Sequence, residues 1–120
     1  MADNVIKTKS FNFALRIIKL FQFLNQEKKE FVLSKQLLRS GTSIGALVRE
    51  SEQAESKKDF IHKLAIAQKE ANETDYWLEL LLQSDYLNET QFKSIKSDIV
   101  EINKILASII ITTKQKLTTI

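Results

Sequence analysis

The sequence predicts an all-α protein, an antiparallel up-down-up-down four-helix bundle, and three observations favour this fold. The 120 residues contain no proline and only two glycines, whereas β-proteins need turn residues about every ten positions. Apolar residues recur at helical spacing along four segments. The breaks between these segments are short, as in antiparallel neighbouring helices. At this length we expect one domain spanning residues 1–120.

The first segment is apolar on two sides. We expect its helix to begin at Asn4 or Ser10 and to end near Gln26. Two stripes run along it, one formed by Phe11, Leu15, Ile18 and Phe21, the other by Phe13, Ile17, Leu20 and Leu24. Together the two stripes form an apolar face that is wider than packing within one four-helix bundle requires. We therefore predict that the second stripe lies in an interface between copies of the chain.

The second segment follows a polar connection at residues 27–31, with Phe31 or Val32 expected to fold back towards the core. Ser34 is the expected N-cap, and the helix should continue to about Ala54. Its apolar side is formed by Leu37, Gly41, Ile44 and Val48.

The two glycines of this segment, Gly41 and Gly45, lie one turn apart on the predicted helix. A glycine inside a helix lowers stability by about 1 kcal/mol relative to alanine. A compensating gain is therefore expected, and we predict close packing of another helix against this face. Membrane dimerisation motifs have the same spacing, but Lys35, Arg39 and Arg49 flank it here, which favours packing between soluble helices.

The third and fourth segments have clear start signals. Ser56 can cap the third helix with Asp59 three residues on, and Asn88 can cap the fourth with Gln91 in the capping-box position. The break between them lies at residues 85–88, and the tail from Thr112 is expected to fray. The core stripes are Phe60, Leu64, Ala67, Ala71, Leu78 and Leu81 in the third segment, and Ile95, Ile99, Ile102, Leu106 and Ile109 in the fourth. Ile105, Ile110 and Ile111 widen the fourth stripe, and we assign Ile105 and Ile110 to the interface between copies.

Composition excludes several classes of protein. Without cysteine there is no disulfide, thiolate metal site or cysteine nucleophile. The start of the chain has no apolar run of signal-peptide length, and the longest apolar stretch, near residues 105–111, is too short for a membrane span. We therefore predict a cytoplasmic protein without membrane contact. The net charge of +3 is a mild excess compared with dedicated nucleic-acid binders.

Two patterns resemble catalytic or metal motifs, and both favour a structural interpretation. Residues 41–45 match G-x-S-x-G, but that nucleophile needs a strand-to-helix turn and a partner histidine, and this segment is helical. Asp59 and His62 have the spacing of a di-metal ligand pair, but His62 is the only histidine, and such sites need two. We predict no enzyme activity, no metal and no cofactor.

A polar line along the second helix contains Arg39, Ser43 and Glu50, while the third helix carries Glu70, Glu73 and Asp75. Two interpretations remain. The line is a solvated face, or Arg39 bridges a carboxylate across helices or across subunits and fixes the packing register.

Six lysines lie in the connections and the tail. In an up-down bundle, Lys28 and Lys29 belong to one end, whereas Lys57, Lys58, Lys114 and Lys116 belong to the other. Such clusters are either simply solvated or in contact with nucleic-acid phosphates. In the second case, binding should be sensitive to salt and weak in sequence preference.

Several of these stretches together resemble one family. They are QLLR at 36–39, RSGTSIG at 39–45, Arg49-Glu50, SKKDFIHK at 56–63 and KEANETDYWLEL at 69–80. The chain resembles the bacterial four-helix-bundle proteins, also called the 23S rRNA-intervening-sequence protein family, from about Phe11 to Ile110. It departs from the family pattern at Leu47, where the family usually has asparagine.

The resemblance implies an antiparallel four-helix bundle with no known enzymatic role. The family is similar in fold to the accessory variability determinant of diversity-generating retroelements, a pentameric barrel that binds a reverse transcriptase and nucleic acid. By this likeness we expect a ring-shaped homopentamer. The hypothesis is a non-enzymatic, homo-oligomeric interaction module that binds RNA or a nucleoprotein through lysine and arginine contacts to phosphate. Its expected partners are further copies of itself and either RNA or a nucleic-acid-processing protein. The alternative is a structural or protein-binding scaffold without nucleic-acid contact.

Overall fold

The computed structural model describes residues 2–118, with side chains from Val5 onward. They form four helices, α1 (Ala2–Gln26), α2 (Leu33–Ser51), α3 (Lys57–Gln83) and α4 (Glu89–Thr118), and the described residues contain no strand. The predicted all-α fold is confirmed. The molecule is a rod with extents of 55 × 22 × 20 Å, in keeping with side-by-side packing of helices of this length.

The contacts between helices run in opposite chain directions, which makes neighbouring helices antiparallel. Lys7 on α1 pairs with Glu52 just after α2 at 3.1 Å, whereas Asn25 near the end of α1 donates to Ser34 at the start of α2 at 3.1 Å. On the other side of α1, Lys9 pairs with Glu101 at 3.1 Å and Arg16 with Asp98 at 2.6 Å. Helix α1 therefore packs between α2 and α4, and α3 completes the square.

The core is a single apolar column shared by all four helices. Its fully buried side chains include Phe13 and Ile17 from α1 and Ile44 from α2, together with Leu78 from α3 and Ile102 from α4. The predicted core stripes of α3 and α4 are confirmed, apart from Phe60, which is only half-buried. No described helix is both long enough and apolar enough to cross a membrane.

Helix α2 begins differently from the prediction. Ser34 is not the N-cap but a fully buried residue inside the helix. The cap is Glu30, whose carboxylate accepts hydrogen bonds from the backbone N–H groups of Val32, Leu33 and Ser34 at 3.2, 3.0 and 2.7 Å. The Ser34 hydroxyl donates in return to the Glu30 carbonyl at 2.8 Å. A carboxylate can satisfy several free N–H groups at a helix start, whereas one hydroxyl cannot.

The connection and the last helix also differ from expectation. Phe31 and Val32 do not fold back, being 50% and 72% exposed, because Glu30 and Leu33 occupy the inner positions instead. Helix α4 does not end at Thr112 but continues to Thr118. By contrast, the caps at Ser56 and Asn88 are confirmed. Ser56 accepts from the Asp59 N–H, and Asn88 and Gln91 form reciprocal bonds of 2.8 and 2.9 Å.

The Glu30 cap predicts a pH-dependent contribution to stability. Burial opposes ionisation, but the hydrogen bonds from Leu33, Ser34 and Val32 outweigh it and lower the pKa of Glu30. A lowered native pKa means that the stabilisation is complete above the unfolded-state pKa and is lost as the pH falls through the native value. We expect Glu30→Gln to reduce the free energy of unfolding by about 1–2 kcal/mol at neutral pH.

Urea denaturation of Glu30→Gln and wild type at neutral and acidic pH measures this effect. The difference should shrink in acid, where the wild-type carboxyl is also neutral. Glu27→Gln is the matched control, since Glu27 lies in the same connection, is exposed and makes no described side-chain hydrogen bond. An equal loss at both pH values would show that packing, not the ionised cap, is responsible.

Candidate functional site

The glycines of α2 lie where α1 approaches most closely. A Cβ at Gly41 would lie 2.8 Å from Cγ1 and 2.9 Å from Cγ2 of Ile17, which is fully buried. A Cβ at Gly45 would lie 3.3 Å from the backbone oxygen of Ser10. The predicted close approach of another helix is therefore present at both positions, and it is made by α1.

The polar line on α2 meets α3. Arg39 forms ion pairs with Glu70, at 3.3 Å, and with Glu73 on the next turn. Of the two interpretations, the structure supports bridging across helices within one chain. Glu50 pairs with Lys63 at 3.5 Å, whereas Ser43 donates to the Arg39 carbonyl at 2.6 Å and does not reach α3.

Other members of the predicted polar set have different partners. Asp75 pairs with Lys96 on α4 at 2.5 Å and takes no part in the Arg39 bridge. Sequence reasoning missed the buried pair beside this bridge, in which the Thr74 hydroxyl donates to the Ser40 hydroxyl at 2.9 Å. Both residues are fully buried, and the available signal was that Ser40 lies three residues after the core residue Leu37 and Thr74 three residues after the core residue Ala71.

The prediction that six residues of α1 and α4 lie in an interface between copies is wrong. Phe13, Ile17, Leu24 and Ile110 lie in the core of a single chain, with exposures between 0% and 7%. Leu20 and Ile105 are half-buried against that core. The second stripe of α1 faces inward because Gly41 leaves space for Ile17, so this stripe is not available to another copy.

The other stripe of α1 is the exposed one. Phe11, Leu15 and Ile18 are 46%, 45% and 38% exposed. Together with small residues of α2, among them Thr42 and Ala46, they line a shallow recess of about 280 Å³. We call these three side chains the outer stripe. Arg49 of α2 lies at its edge, with its guanidinium carbon 5.0 Å from the centre of the Phe11 ring.

The lysines lie at the two ends of the rod, as the topology required. All six are exposed, and none forms an ion pair with a described residue. Lys57 and Lys116 line one recess, of about 350 Å³, between the start of α3 and the end of α4. We call this the lysine end, formed by Lys57, Lys58, Lys114 and Lys116. Lys28 and Lys29 lie at the opposite end of the bundle.

The two motif-like patterns have structural roles. Ser43 of the G-x-S-x-G pattern lies inside α2 and hydrogen-bonds its own helix. The Asp59 carboxylate accepts from the Glu55 N–H at 3.2 Å at the start of α3, and His62 is exposed. Among the side chains that the structure describes, residues 5–118, there is no group of three or more histidine, cysteine, aspartate or glutamate residues suited to a metal ion. Leu47, where the family pattern has asparagine, packs half-buried against the core.

Comparison with known proteins agrees with this architecture. The family model described as 23S rRNA-intervening sequence protein matches residues 2–108. The chain is also similar to a crystal structure from Bacteroides thetaiotaomicron, described as a protein with unknown function from the S23 ribosomal protein family. The two are 63% identical with a TM-score of 0.91, over 92% of this chain and 98% of that one. No curated protein matches. The protein described here belongs to the 23S rRNA-intervening sequence protein family.

Proposed function

We propose that this protein is a non-enzymatic, self-assembling interaction module that binds RNA through phosphate contacts at the lysine end. The observation that carries the proposal is the set of exposed cations there. Lys57 and Lys58 begin α3, and Lys114 and Lys116 lie in the last two turns of α4. No described carboxylate neutralises these four ammonium groups, so they remain free to contact phosphate.

Three of the acidic residues near this end are already engaged, whereas Glu55 is exposed and forms no ion pair with a described residue. Glu52 pairs with Lys7 at 3.1 Å, Glu50 pairs with Lys63, and the Asp59 carboxylate accepts a backbone N–H at the start of α3. They therefore weaken the field of the four lysines less than free carboxylates would. The connections of the opposite end carry only the lysine pair Lys28 and Lys29, whereas the lysine end combines four lysines from two helices.

Assembly through the outer stripe would raise the density of these weak contacts. Three large apolar side chains on one helix face are unfavourable in water and are covered when a second copy packs on them. A closed ring, with five copies as the family resemblance implies, would present several lysine ends to one RNA. Linked weak sites bind far more tightly than one site alone. The cytoplasmic location expected from the sequence would give access to RNA.

Fluorescence anisotropy with a labelled RNA at about 50 and 200 mM salt tests the proposal, since each neutralised phosphate of a single strand contributes about −0.7 to the slope of log K against log salt. We expect measurable binding at the lower salt. Lys57→Gln/Lys58→Gln should make the slope shallower by about 1.4, because two contacts are lost per site.

Lys28→Gln/Lys29→Gln is the matched control, because it removes the same charge from the opposite end. This variant should leave the slope unchanged. Equal effects of both variants would assign binding to the overall charge and not to the lysine end. Absence of binding at low salt would favour the alternative, a scaffold without nucleic-acid contact.

A further inference from the structure

The lysine end contains a groove with two compartments. One, of about 430 Å³, is lined by residues of all four helices and reaches the core at Leu64. The other, of about 350 Å³, lies between α3 and α4. Both are lined by Lys57, Phe60 and Ile109, so they adjoin along this edge. Each volume lies within the range of about 300–1,000 Å³ typical of small-ligand sites.

The walls of the groove combine apolar and cationic groups. Ile6, Val48 and Leu64 form an apolar floor in the larger compartment. The half-buried Phe60 lies where the compartments adjoin, and Lys57 and Lys116 lie at the rim of the smaller one. Glu52, the acidic residue of the larger compartment, is paired with Lys7 at 3.1 Å. The groove therefore suits an occupant that presents apolar rings beside negative charge.

Unpaired nucleotides have this combination, since every base has an apolar face and every linkage carries a phosphate. In a duplex the bases are stacked and paired, so a protein groove of this kind cannot accept them without unpairing. We infer that the groove takes an unpaired base of single-stranded RNA against Phe60, while Lys57 and Lys116 contact the flanking phosphates. This inference rests on the proposed RNA binding and adds the class of RNA and the residue that distinguishes it.

The test compares three labelled probes of equal length on the wild-type protein: a single-stranded RNA, the same RNA as a duplex, and a single strand whose riboses carry no bases. The last probe keeps the flexible sugar-phosphate backbone and lacks only the bases, which are the groups that the groove would hold. We expect the RNA strand to bind about tenfold more tightly than the baseless strand, the order expected for one stacked base. We expect the duplex to bind more weakly than the RNA strand.

Phe60→Leu, which keeps the side chain apolar, should remove most of the preference for the RNA strand over the baseless strand. Phe92→Leu is the matched control, because Phe92 is also half-buried against the core but lies at the start of α4, far from the groove. It should leave the preference unchanged.

Equal binding of the RNA and baseless strands would overturn the groove inference while leaving phosphate binding at the lysine end intact. The groove inference also fails if Phe60→Leu and Phe92→Leu change the preference equally. Absence of binding to all three probes at low salt would instead overturn the proposed function, and the inference with it.

Discussion

Leu15→Lys is expected to convert an assembly into a folded monomer. Leu15 lies at the centre of the outer stripe and is 45% exposed in the single chain, so lysine can be accommodated there without disturbing the core. In an interface between copies, the same lysine would place a charge among apolar side chains. It would also remove the burial of the exposed half of Leu15, which is roughly half of the 1.5–3 kcal/mol that complete burial of a leucine contributes. Because this contribution is lost at every interface of an oligomer, the total loss of association free energy is large.

Sedimentation velocity measures the outcome, and circular dichroism shows that the helices persist. The expected mass of the variant is that of one chain, 13.8 kDa. Val32→Lys is the matched control, because Val32 is 72% exposed but lies in the connection at one end of the bundle, away from the outer stripe. If Leu15→Lys and Val32→Lys sediment alike as oligomers, the outer stripe is not the interface.

Gly41→Leu is expected to lower the folding stability strongly, because it adds a large side chain where α2 contacts α1 most closely. Its Cβ alone would lie 2.8 Å from a buried Ile17 atom, and the larger side chain fits only if α1 and α2 separate. Overpacking typically costs about 1–3 kcal/mol, and we expect the upper end of this range here, which exceeds the gain of about 1 kcal/mol from replacing glycine in a helix. Against a total stability of about 5–15 kcal/mol, this loss is easily measured.

A double-mutant cycle with Ile17→Ala separates the steric effect from helix propensity. Gly41→Ala should destabilise the wild-type chain but stabilise the Ile17→Ala chain, where the space is free and only the propensity gain remains. Chemical denaturation gives each free energy of unfolding. Ala65→Leu is the control for Gly41→Leu, because it also introduces a leucine into a helix but at an exposed position of α3. Equal effects of Gly41→Ala in both backgrounds would contradict the close approach of Ile17.

The sequence was sufficient to predict those features that depend on residues close together in the chain. The caps at Ser56 and Asn88 depend on residues three positions apart, and these could be predicted. The start of α2 could not be predicted from the sequence. Its capping residue, Glu30, lies two residues before the N-cap position Val32 and resembles an ordinary loop glutamate. The pattern of short breaks was enough for the topology, because it leaves neighbouring helices only an antiparallel arrangement.

Which apolar face of α1 points towards the core could be determined only from the three-dimensional structure. Both stripes of α1 were visible in the sequence, but periodicity does not say which of two apolar faces points inward. That choice is made by contact with α2, where Gly41 receives Ile17 and the outer stripe is left facing solvent. The lysine end followed from topology alone. Its groove did not, because residues from all four helices form it.

The proposed association of copies through the outer stripe is the feature on which the multivalent binding of RNA depends. Multi-angle light scattering of the wild-type protein during size-exclusion chromatography tests it most directly. We predict a mass several times 13.8 kDa, five times for a pentameric ring, that persists on moderate dilution. A stable mass of 13.8 kDa, with Phe11, Leu15 and Ile18 left in water, would contradict it.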